Sequence, residues 1–158
     1  MVEVAIATMF AGWIFGAWKK ANAEGESTKR KFEELLTELS KLLDGFSYDL
    51  RLSKMHNGKH IPTSMHGLTG FLPTIERNSR DLVILSNDFD VYDTRIAGYL
   101  RELSQKGEGI REMWFGGNGT ALINGTNISD LEIELSAMKT EIDKIKKDMF
   151  DKQEKISR

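Results

Sequence analysis

Apolar residues recur along this chain at helical spacing in three long tracts, and a fourth tract at its start carries almost no charge. Phe32, Leu36, Leu39, Leu43, Phe46 and Leu50 follow one another at intervals of four, three, four, three and four, with Leu35 and Leu42 widening the stripe. Such a heptad seam predicts a helix over residues 27–54, with Gly45 as a weak point inside it. Leu82, Leu85, Phe89, Tyr92, Ile96, Tyr99 and Leu103 form a second seam of alternating three and four. It predicts one long helix entered at Pro73, which suits a first helical turn, and resuming past Gly107 and Gly109 through Ile110, Met113 and Trp114. Ile128, Leu131, Leu135, Met138, Ile142, Ile145, Met149 and Ile156 form the third seam, over residues 129–156. Ser129 with Glu132 three residues later has the pattern of a capping box.

Between the seams lie two loop signals. Residues 55–72 contain Asn57-Gly58, Pro62, Gly67 and Gly70, with room for a short helical turn over 64–71. Residues 114–126 contain Gly116-Gly117-Asn118-Gly119 and Asn124-Gly125, a decisive break. No strand pattern competes with the helical one. The three stripes predict an antiparallel three-helix bundle with coiled-coil-like heptad packing, because none of these helices can leave its stripe in water.

The opening tract sets the rest of the expectation. From Val4 to Trp18 no residue is charged, and Lys19-Lys20 closes the run. A helix from about Met1 to Trp18 rises ~27 Å, just under the ~30 Å of a hydrocarbon core, so residues 1–20 are expected to be a short N-terminal transmembrane helix. Lys19, Lys20, Lys29, Arg30 and Lys31 follow the run and no Lys or Arg precedes it. That bias places the amino terminus outside and the body in the cytoplasm, a single-pass arrangement. Residues 21–26 then serve as a joint around Gly25, and residues 27–158 as the helical body. The run admits two other readings. Ala21-Asn22-Ala23 resembles a signal-peptide cleavage site, although Glu3 stands where a basic region belongs. An N-terminal helix buried in a globular core is the other.

Within the run, Ala5, Thr8, Gly12 and Gly16 share one helix face and include a GxxxG, so they are the expected face for packing against a second membrane helix. Trp13, Trp18, Lys19 and Lys20 are expected at the membrane interface, joined by Trp114 and Phe115 of the loop that the bundle topology returns toward the bilayer.

Charge narrows the partners. Against 22 basic side chains stand 24 acidic ones, with the signs mixed along the chain, so a nucleic-acid backbone finds no basic surface. Cysteine is absent, which removes disulfide and thiol chemistry. His56, His60 and His66 lie within one loop beside Met55 and Met65, candidate ligands for a soft or borderline metal at a spacing that matches no established site. Asp88, Asp90 and Asp93 lack the glycine and closing glutamate of a calcium loop, and read as a solvated face. With no nucleophile elbow and no phosphate loop, no enzymatic activity and no cofactor is expected. The resulting expectation is a membrane-tethered helical interaction or scaffold module, a subunit or adaptor of a membrane-associated complex. Its partners would be membrane lipid, a second copy of the chain and an unidentified protein. The alternative is a small oligomerising effector that perturbs the bilayer, with the bundle as sensor.

Overall fold

The computed structural model describes residues 2–57, 65–115 and 126–157, with side chains over 6–51, 75–109 and 130–148. The described residues form five helices and no strand: α1 (Val2–Glu24), α2 (Glu26–Asn57), α3 (Met65–Asp90), α4 (Thr94–Phe115) and α5 (Thr126–Ser157). The all-helical bundle is as the seams predict. The number of helices and the place of the first are not.

α2 is the spine of the molecule, packed against α1, α3 and α5. Its seam is fully used, with Phe32, Leu36, Leu39, Leu43, Phe46 and Leu50 all buried. Polar pairs fix its register on α5: Arg51 Nε donates to Glu132 at 3.0 Å, Ser47 and Ser136 share a hydrogen bond of 2.8 Å, and Ser40 Oγ donates to Asp143 at 3.0 Å. These pairs descend α2 as they ascend α5, so the two helices are antiparallel. On the other flank Asn78 Nδ2 donates to Asp49 at 2.8 Å and Phe32 meets Phe89 edge to face, which makes α3 antiparallel to α2 as well.

The second seam is not one helix. It is split at Val91, Tyr92 and Asp93 into α3 and α4, which fold back on each other as a hairpin. Two backbone bonds close α3, from Tyr92 N and Asp93 N to Phe89 O. Asp93 then starts α4 as its N-cap, its carboxylate accepting from Arg95 N at 2.8 Å. The apolar spacing runs straight through the turn, so both arms keep their seam residues inward: Leu82, Leu85 and Phe89 on α3, Ile96, Tyr99 and Leu103 on α4. The arms approach closely at Gly107, where a Cβ would collide with Ser79 Oγ and stand 3.0 Å from Phe46 Cζ. Ser104 Oγ donates to Ser79 O at 2.7 Å across the same contact. α3 also begins earlier than Pro73, which lies within it.

The expected membrane span needs the larger correction. No described helix is long and apolar enough to cross a membrane, and α1 is instead built into the bundle. Ala7, Phe10, Ala11, Ile14, Ala17, Trp18 and Ala21 are buried in the same core as the seams of the other helices. Phe10 packs on Tyr99 of α4, and Trp18 Nε1 donates to Glu33 of α2 at 3.3 Å. The physical reason is composition. Alanine, glycine and threonine keep the run uncharged without making it strongly hydrophobic, and small residues let a helix settle close to its neighbours. Within residues 21–26 the turn falls at a single residue. α1 continues to Glu24, and Gly25 alone, at a φ of 132°, turns the chain into α2. Gly25 N donates to Asn22 O, and Gly25 O accepts from Lys29 N at 3.1 Å, so one residue closes the first helix and opens the second.

Candidate interaction surface

Apart from Ser79 Oγ, the buried polar side chains among the described residues find partners within the bundle. Glu134 of α5 is only 4% exposed, yet it accepts from the Tyr99 hydroxyl and from Lys106 Nζ at 2.8 and 3.2 Å. A buried carboxylate is tolerable only when paired in this way. Burial and the hydrogen bond to Glu134 push the Tyr99 phenol far above its ordinary range, so it is a permanent donor at physiological pH. The cluster locks α4 to α5.

An open groove lies elsewhere, between α2 and the turn that joins α3 to α4. It encloses about 320 Å³ and is lined by Lys31, Glu34, Leu35 and Glu38 from α2 and by Asn87, Asp88, Val91 and Tyr92 from the end of α3 and the turn. A second hollow of about 260 Å³ adjoins it past Lys31, Val91 and Tyr92, reaching Ala17, Lys20, Ala21 and Glu24 of α1 and Thr28 of α2. Three helices and a turn therefore meet around these two adjoining hollows.

Each element delivers its residues for a local reason. Leu35 stands beside the α2 seam and is half-buried, its outer edge forming the groove floor. Tyr92 is held by an edge-to-face contact with Phe32, ring centroids 5.1 Å apart. Burial raises its phenol pKa, and the neighbouring Glu24 and Asp88 charges raise it further, so its hydroxyl stays protonated between the two carboxylates. Val91 is 83% exposed at the apex of the turn, although turns of this kind are ordinarily built from small or polar residues. Asp93 points away from the groove and holds Arg95 at 2.8 Å; that hydrogen bond lowers its pKa below the usual carboxylate value. Arg95 in turn lies over the Trp13 ring, 5.3 Å from its centroid.

The residues singled out in the sequence are distributed as follows. Thr8, Gly12 and Gly16 lie on the outward side of α1, where a Cβ on either glycine would meet open space; the side chain of Ala5 lies outside the described residues. Trp13 is half-buried, Trp18 is buried against α2, and Lys19 and Lys20 are exposed, Lys19 over the Phe15 ring at 4.7 Å. Trp114 and Phe115 end α4, but their side chains are outside the described residues, as are those of His56 and His66. His60 falls outside them altogether. Among the described residues no cluster of three or more His, Asp or Glu side chains could hold a metal ion.

The groove residues carried a weak signal in the sequence. Leu35 looks like a broadened seam and Asp88 like part of a solvated face; Val91, an apolar residue between two aspartates and off the heptad positions, is the one sign that could have marked the place. No family model, curated protein or solved structure matches the chain.

Proposed function

We propose that this chain is a helical interaction module that recognises a protein partner at the groove between α2 and the α3–α4 turn. The observation that carries the reading is Val91, whose side chain adds nothing to the core yet stands 83% exposed beside the half-buried Leu35 and Tyr92. An apolar tip, an aromatic ring with a polar end and a recessed floor are what a protein interface uses at its centre, with charged residues around them. The reading is also supported by the bundle itself, where Ser40, Ser47, Tyr99 and Glu134 are engaged in bonds between helices.

Site-specific photo-crosslinking in the producing cell tests it. A photo-reactive phenylalanine at Val91 is expected to trap a discrete adduct, and the same probe at Lys147, exposed on α5, is not. Equal adducts at both positions, or none at Val91, would overturn the assignment of this surface.

A further inference from the structure

The charges around the groove specify its occupant. Glu34, Glu38 and Asp88 line it against a single cation, Lys31, and none of the three carboxylates takes part in an ion pair among the described residues. The apolar elements alternate with these acids: Leu35 sits between Glu34 and Glu38, and Val91 and Tyr92 follow Asp88.

Resting on the interaction-module reading above, we infer that the groove takes a basic amphipathic segment of a protein partner, one that offers lysine or arginine side chains to Glu34, Glu38 and Asp88 and an apolar side chain to Leu35, Val91 and Tyr92. Charge complementarity of this kind suppresses acidic competitors and speeds encounter, while the apolar contact holds the complex. A neutral or acidic segment would leave the carboxylates facing apolar or like-charged groups.

The test uses the full-length chain and two synthetic amphipathic peptides of the same length, one of leucine and lysine and one of leucine and glutamate, with backbone amide shifts as the readout. The leucine–lysine peptide is expected to shift amides of residues 31–38 and 87–92, and added salt should weaken its binding. The triple variant E34K/E38K/D88K should bind it about tenfold less tightly, three favourable charge contacts having become repulsive. The matched variant E102K/D130K/D148K, which changes net charge equally at exposed positions away from the groove, should bind like the unaltered chain. Equal weakening in both variants would show attraction to net charge alone and overturn the inference. Binding of the leucine–glutamate peptide at the same amides would overturn the basic partner while leaving the surface assignment in place. Absence of any groove shift with either peptide, alongside a discrete adduct at Val91, would likewise overturn only the partner chemistry. Absence of both shifts and adduct would remove the two proposals together.

Discussion

Trp18 and Glu33 are joined across the α1–α2 hairpin, the indole Nε1 donating to the carboxylate at 3.3 Å. The pair fastens the first helix to the second from either side of Gly25, so α1 belongs to the cooperative unit. Phe10→Ala is therefore expected to cost ~3–5 kcal/mol and Ile14→Ala ~2–5 kcal/mol, as buried truncations of these types do. Met9→Ala, at a residue 55% exposed, is the control and should change little. Urea unfolding followed by circular dichroism measures all three; a Phe10→Ala variant as stable as Met9→Ala would detach α1 from the core.

The glycines divide into two groups with opposite signs. Alanine at Gly12, Gly16 or Gly45 would occupy open space in a helix interior and should stabilise the chain by ~0.5–1 kcal/mol each. Alanine at Gly107 meets Ser79 and Phe46, and the overpacking should outweigh the helical gain for a net loss of ~1–3 kcal/mol. Ser79→Ala in the same chain removes the colliding oxygen, and part of the loss should return. Thermal midpoints of the four single variants and the one double variant decide the matter.

Tyr99 and Glu134 make stability fall at alkaline pH. Unfolded, Tyr99 ionises near its ordinary value of 10.0; folded, it does not until far above that. The raised phenol pKa thus contributes stability that is fully present below about pH 10 and is lost as pH climbs, by up to ~1.4 kcal/mol per pH unit. Tyr92, also raised, adds to the same limb. Tyr99→Phe should flatten the decline while costing ~1.5–3 kcal/mol at neutral pH through its lost bond to a charged group. An unchanged slope in the variant, measured by urea unfolding from pH 9 to 11.5, would assign the decline to other groups.

At the acid end the N-cap of α4 is the group to watch. Arg95 holds the Asp93 carboxyl below its usual value, so its contribution is present above about pH 4 and is lost as pH falls through the lowered folded value. Asp93→Ala should cost ~0.5–2 kcal/mol at neutral pH, and Asp93→Asn, which keeps the capping oxygen, less. Both variants should lose stability less steeply on acidification than the parent.

Much of this fold is legible in the heptad positions. Those of α2, from Phe32 to Leu50, are buried as spaced, and so are Leu131, Leu135, Met138 and Ile142 of α5. The α3–α4 break is hidden because a short turn replaces nearly one helical turn without disturbing the apolar rhythm. Asp93 ahead of Ile96 is a cap signal with no glycine or proline to announce it. The place of α1 is ambiguous because a lack of charge suits a bilayer and a bundle interior alike; only the predominance of alanine over leucine favours the bundle. Lys106 looks like an i,i+4 partner for Glu102, yet it goes to Glu134, since a buried carboxylate gains more from a cation than an exposed one does. The groove was the least legible feature, because it is assembled from residues that lie apart in sequence.

α1 leans on α5 as well as on its immediate successor, and this has a consequence during synthesis. The ribosome delivers α5 about 100 residues after α1, which at ordinary elongation rates leaves roughly 5–20 s in which α1 lacks part of its final cover. A nascent chain in that interval displays the kind of apolar helix that holdase chaperones bind, and its folding yield is governed by how promptly the last helix arrives.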